Sequence, residues 1–159
     1  MISIVIIVSL QPDTKTGMTP LIVAACNASD KTVSSLLSWG ASPDQTDVNK
    51  NTALLGAIQS QCTTTITLLA PVTNVRLEAA LGCLARDRIE LEPRPLELLV
   101  ERAAEDKDAA LMGILHSAKF GASKIIELLA KYTKDHLVAD TISIFPFPIC
   151  RRRIYKIKE

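Results

Sequence analysis

The sequence predicts an all-α fold: a solenoid of about four helix pairs joined by short loops. Two matching segments stand one after the other, Thr19-Pro20-Leu21-Ile22-Val23-Ala24-Ala25 and Thr52-Ala53-Leu54-Leu55-Gly56-Ala57-Ile58. Leu36-Leu37 returns as Leu68-Leu69 at nearly the same spacing. Self-similarity at a period of about 20–50 residues marks arrays of small units that stack on their neighbours. Composition agrees. Hydrophobic residues make up 48% of the chain but aromatics only 4%, so the core must be aliphatic. Leu, Ile, Val and Ala suit closely set helices better than a β-sandwich.

The first ten residues, Met1 to Leu10, are strongly apolar. They are too few to span a bilayer, which takes about 20. They also lack the basic start and small-residue cleavage site of a secretory signal. Such a β-branched run suits a strand, an end cap, or the apolar edge of a chain that starts inside a larger protein. Residues 1–12 are therefore set apart.

The first helix pair is expected over about 18–38. Thr19 can cap a helix with its hydroxyl. Pro20 suits the first helical position, where no backbone donor is needed. Leu21, Ala24 and Ala25 then share one helical face. A second helix is expected from Thr32 to Trp39 with Val33, Leu36 and Leu37 inward, ended by Gly40 in the left-handed conformation. Ala41-Ser42-Pro43-Asp44 leads into a polar loop that runs to Asn51.

The second pair is expected over about 51–69. Beyond it the period lapses, and Ala85 stands where a third Thr falls at the same spacing. Helical stripes continue nevertheless. Leu77, Ala80, Leu81 and Leu84 form one, and Leu96, Leu99, Val100 and Ala103 form another. Arg86 to Pro95 reads as a charged, proline-punctuated loop between them, in a pair over about 75–104. In the last pair, about 108–132, Ala110-Leu111-Met112-Gly113-Ile114 resembles Ala53-Leu54-Leu55-Gly56-Ala57. Its turn is Ala118-Lys119-Phe120-Gly121, and Ile125-Ile126-Glu127-Leu128-Leu129 is its second helix. Past Lys134, Pro146 and Pro148 stop further helix. The expected organisation is a repeat domain over 13–134 and a non-repeat tail over 135–159.

A helix beginning Thr-Pro-Leu, an Ala-Ala pair, a helix ending Leu-Leu, then Gly-Ala: this resembles the ankyrin repeat. Gly17-Met18-Thr19-Pro20-Leu21 and Leu36-Leu37-Ser38-Trp39-Gly40-Ala41 carry the resemblance best, and it extends over roughly 13–132. The second unit departs from the pattern. Lys50 stands in place of glycine, Ala53 in place of proline, and no glycine follows Leu69. Ile22 and Leu55 stand where the family usually has histidine.

The resemblance implies a protein–protein interaction module, an adaptor or scaffold that binds through loop tips and the exposed edge of each first helix. Carried over by position, the loop candidates are Lys15, Thr16 and Met18, then Asp47, Val48, Asn49 and Asn51. Cys26 and Asn27, then Gln59 and Ser60, are the first-helix candidates. Trp39 precedes Gly40 at a variable, usually exposed position. It either contacts a partner, as surface tryptophans at hot spots do, or packs on the next repeat.

Little points to catalysis. His116 and His136 form no metal-binding helix motif, and Cys83 with His116 form a pair only if the fold brings them together. Gly113 and Gly121 are isolated rather than part of a phosphate loop. Glu90, Glu92, Glu97, Glu101 and Glu105 read as a solvated face. No enzyme activity, cofactor, metal or small-molecule substrate is expected. Cys26, Cys62, Cys83 and Cys150 are widely separated in the chain, without zinc spacing, and read as free thiols of an intracellular protein. The sequon Asn27-Ala28-Ser29 reads as chance.

The net charge of +1 gives no global pull toward nucleic acid. Locally, Arg151, Arg152, Arg153, Lys156 and Lys158 crowd five positive charges into one short run. Such a run can address a protein to the nucleus or touch an anionic membrane or nucleic acid. The alternative function is thus an adaptor whose tail docks while the repeats support it. A cytoplasmic or nuclear location is expected.

Overall fold

A computed structural model describes residues 11–87, 89 and 91–132. Among these are eight α-helices and no strand, as the repeat pattern predicts. The chain divides into two compact units, Met1–Val75 and Arg76–Glu159.

The first unit holds α1 (Pro20–Cys26), α2 (Asp30–Ser38), α3 (Ala53–Gln59) and α4 (Thr63–Leu69). α1 packs on α2 and α3, α3 on α4, and α2 on α4. Thr19 and Thr52 are the caps. The Thr19 hydroxyl accepts from Ile22 N at 3.2 Å and the Thr52 hydroxyl from Leu55 N at 3.3 Å. Both threonines are buried, so each hydroxyl satisfies an amide that water does not reach.

The helices of each pair are joined by the same device. Ala28 and Gln61, at equivalent positions of the two repeats, both take left-handed backbone, at φ 53° and 54°. Ser29 N donates to Ala24 O and Cys62 N to Ala57 O. Ala28 N bonds Ala25 O and Gln61 N bonds Ile58 O. These are the paired closures of a Schellman end. Neither residue is glycine, so the sequence does not advertise them. Gly40, at φ 87°, makes the same closure after α2. After α4, Pro71 has no amide to donate; Val72 N and Thr73 N bond Leu69 O at 3.1 and 3.0 Å, and the Thr73 hydroxyl donates to the same carbonyl at 2.8 Å. That is how the helix ends without a glycine.

Two expectations change here. α2 starts at Asp30 rather than Thr32. Val33 N bonds Ser29 O at 2.9 Å, which closes a turn before Thr32, and Asp30 favours the positive helix end. Leu37 is only half-buried, while Val33 and Leu36 are buried. α2 buries a narrow stripe of Val33 and Leu36, and Leu37 sits at its margin.

The second unit holds α5 (Leu77–Arg86), α6 (Pro93–Glu105), α7 (Lys107–Phe120) and α8 (Ser123–Tyr132). Both expected stripes are buried. The loop expected over Arg86–Pro95 is shorter, because α5 runs to Arg86 and Pro93 and Pro95 lie in the first turn of α6. First-turn amides have no intrahelical acceptor, so proline is tolerated there. α5 packs on α6 and α7, α7 on α8, and α6 on α7 and α8. Gly113 permits the close approach: a Cβ there would lie 2.6 Å from Leu81 Cδ1 and 3.3 Å from Leu129 Cδ1.

Candidate functional site

Two linked turns build the site. In the first, the Asp13 carboxylate accepts from Thr16 N at 2.8 Å and Thr16 Oγ1 at 2.6 Å. Gly17 N donates to Asp13 O, and Asp13 N to Met18 O. In the second, one Asp47 oxygen accepts from Asn49 N at 2.8 Å and Asn51 N at 2.7 Å. The other accepts from Asn51 Nδ2 at 3.0 Å. Gly17 and Lys50, at equivalent positions of the two turns, take φ 67° and 61°. Lys50 thus does a glycine's work, which strains it by about 1–2 kcal/mol.

Val48 N donates to Thr16 O at 3.1 Å, so the turns are locked to each other. Gly17 is needed for this fit. A Cβ on it would stand 3.1 Å from Val48 N.

The electrostatics follow the bonds. Hydrogen bonds from the Thr16 side chain and backbone hold the Asp13 carboxyl below its ordinary value. Loss of hydration pushes the Asp47 carboxyl up, but its bonds from Asn51 and Asn49 outweigh this and lower it. Partial burial, then the nearby Asp47 charge, raises the Cys26 thiol. Burial raises the Cys83 thiol as well; Arg86 opposes this and Asp87 adds to it. Both thiols are thereby kept protonated rather than activated.

Lys15, Thr16, Val48 and Asn49 are exposed at the tips, and Met18, Asp47 and Asn51 are half-buried braces. Cys26, Asn27 and Gln59 are exposed along the first helices. Ser60 differs from these. Its hydroxyl donates to Ala25 O at 3.0 Å and Ala57 O at 3.1 Å, tying α3 to α1. Trp39 caps α2 and is 54% exposed.

Sequence reasoning passed over Val72. It stands one period after Trp39, just past the end of α4, and is also exposed. The repeat spacing was the signal that could have found it. Asp44 was likewise passed over, as mere polar loop. It accepts from Asn74 N at 2.7 Å and Asn74 Nδ2 at 3.1 Å, beyond the whole second helix pair.

His136, Cys150 and the basic residues Arg151, Arg152, Arg153, Lys156 and Lys158 lie outside the described residues, as does the side chain of His116. Among the described residues no group of three or more His, Cys, Asp or Glu is placed to hold a metal ion. No described helix is long and apolar enough to cross a membrane.

Residues 16–48 match the family model of the ankyrin repeat. No curated protein and no solved structure matches the chain. The matched stretch takes in the Gly17 turn, the Thr19 cap, both helices of the first pair, the Gly40 closure and the start of the second turn. Residues 16–48 are thus similar to an ankyrin repeat, and the capped helix pair recurs one period later within an all-helical fold.

Proposed function

We propose that the chain is a protein–protein interaction module, an adaptor or scaffold whose partner is another protein. Ankyrin repeats are generally modules of this kind and typically not enzymes. The observation that carries the reading is the pair of turns locked by the Val48–Thr16 bond, each braced by its own aspartate. A surface held this rigidly loses little ordering entropy when a partner docks. Lys15, Thr16, Val48 and Asn49 are the contact tips in this reading, with Cys26, Asn27 and Gln59 beside them. No catalysis, cofactor or small-molecule substrate is part of it, and the setting is cytoplasmic or nuclear.

Trp39 supplies the anchor. A large aromatic half in water carries much of the binding energy where it serves as a hot spot, about 2 kcal/mol or more. Trp39→Ala is therefore expected to weaken binding of an isolated partner roughly 30-fold in a titration. It should also remove the tryptophan fluorescence change on binding, since Trp39 is the only tryptophan in the chain. Equal affinity for the variant defeats the assignment. The basic tail supports a second reading, in which an anionic surface is the target. Binding that collapses with salt and vanishes on truncation at Pro148 favours the tail.

A further inference from the structure

Two hydroxyl residues of the chain are followed by proline, in Thr19-Pro20 and Ser42-Pro43. Their surroundings are opposite. Thr19 is buried, and its hydroxyl is committed to the amide of Ile22 at the start of α1. Ser42 is exposed and lies outside any helix, between the Gly40 closure and the turn at Pro43 and Asp44. Among the described residues its hydroxyl has no hydrogen-bond partner, whereas those of Thr16 and Ser38 are bound to Asp13 and to the Ser35 carbonyl.

An enzyme can reach a hydroxyl in this setting. A protein kinase must draw its acceptor into a cleft as extended chain, which a buried or helical residue cannot supply. Steric conflict with Pro43 biases Ser42 away from helical backbone. Pro43 also brings no amide N–H. It therefore suits a kinase pocket that offers that amide no acceptor and so rejects other residues. Thr14 and Thr46 are exposed too, but lysine and aspartate follow them.

A phosphate on Ser42 meets a device already in place. Two residues on, Asp44 accepts from Asn74 N at 2.7 Å, Asn74 Nδ2 at 3.1 Å and Val75 N at 3.4 Å. These bonds tie the end of the second helix pair to the loop before it. Two residues of chain span at most about 7 Å, which is within the screening length of about 8–10 Å at ordinary salt. A phosphoserine brings about 1.5–2 negative charges and three acceptor oxygens. It repels the Asp44 carboxylate and competes for the same amides. We propose that Ser42 is a phosphorylation site for a proline-directed protein kinase, and that its phosphate loosens the tie from Asp44 to Asn74 and Val75. The Ser42 hydroxyl oxygen bonds to the γ-phosphorus of a nucleoside triphosphate as the bond to the β-phosphate oxygen breaks. The nucleoside diphosphate leaves, and the hydroxyl proton passes to the catalytic base of the kinase. No protein partner at the repeat surface is needed for either effect.

The test treats the full chain with magnesium, adenosine triphosphate and a purified proline-directed kinase, and maps phosphate by mass spectrometry. Phosphate is expected on Ser42 and not on Thr19, at a rate at least tenfold slower in Pro43→Ala. Amide exchange at Asn74 and Val75 should then rise about fivefold, the size of a repulsion between about two charges and one about 7 Å apart in water. In Asp44→Asn, with no carboxylate to repel, phosphorylation should change that exchange less than twofold. A chain left unmodified at Ser42, or modified equally at Thr19, overturns the site. Exchange at Asn74 and Val75 that is unchanged or slowed by the phosphate overturns the effect on Asp44. So does an equal rise in Asp44→Asn.

Discussion

Replacing Thr52 with valine tests whether the repeated caps hold the helix pairs together. Valine keeps the shape of threonine and removes only the hydroxyl. In the native chain that hydroxyl accepts from Leu55 N at 3.3 Å, with Thr52 1% and Leu55 3% exposed. The variant leaves the Leu55 amide buried with neither its cap nor water. Loss of a threonine cap costs about 0.5–2 kcal/mol, and an orphaned buried amide about 1–3 kcal/mol. These describe the same lost bond, so they are not summed. A bond of 3.3 Å is long, which places the loss near the low end, about 1 kcal/mol, roughly a fivefold shift in the folded ratio. Urea unfolding followed by circular dichroism and by Trp39 fluorescence reads it out. Thr64→Val is the control, because Thr64 on α4 is not part of the core and surface changes stay within about 0.5 kcal/mol. If Thr52→Val lowers the urea midpoint no more than Thr64→Val does, the capping argument fails.

Lys50→Gly is expected to stabilise the chain by about 0.5–1 kcal/mol in the same assay, because φ 61° strains lysine and not glycine. A loss of stability refutes the strain at that turn. Gly113→Ala should destabilise by about 1 kcal/mol although alanine is the better helix former. Its Cβ meets Leu81 and Leu129, both fully buried with little room to turn, and overpacking of about 1–3 kcal/mol outweighs a propensity gain of about 1 kcal/mol. A raised melting temperature would count against that packing. Asp13 and Asp47 both have folded-state pKa values below the ordinary 3.8. The stability they contribute is complete above that value and fades as pH falls through the lowered ones. The doubly substituted Asp13→Asn/Asp47→Asn chain should therefore lose less stability than the native chain between pH 6 and pH 2, taken as about the limits of carboxylate titration; parallel curves exclude this linkage.

Much of the fold was legible in the sequence because it depends on neighbours in the chain. A threonine just before a helix, a proline in a first turn and a glycine at a helix end act locally, and Thr19, Pro20 and Gly40 behave as read. The stripes at 77–84 and 96–103 were legible for the same reason, since helical spacing alone sorts their faces. The candidate site was less legible. Its tips, Lys15, Thr16, Val48 and Asn49, are exposed as expected, but Ser60 turns its hydroxyl to a carbonyl of the preceding repeat. Ala28, Gln61 and Lys50 hold left-handed backbone with side chains that give no sign of it.

The sequence by itself therefore determined an all-helical repeat, its period and most of its helix starts and stops, for these arise from local propensity and capping. Only the tertiary structure decided which polar groups brace the turns and which meet solvent. It alone locked the two turns through Val48 and Thr16, pinned Asn74 to Asp44 and left Trp39 half in water. It alone separated Gly56, packed under Cys26, from Val23 at the same repeat position. The physical reason is that burial belongs to a pair of surfaces, and the second surface comes from residues about a period away.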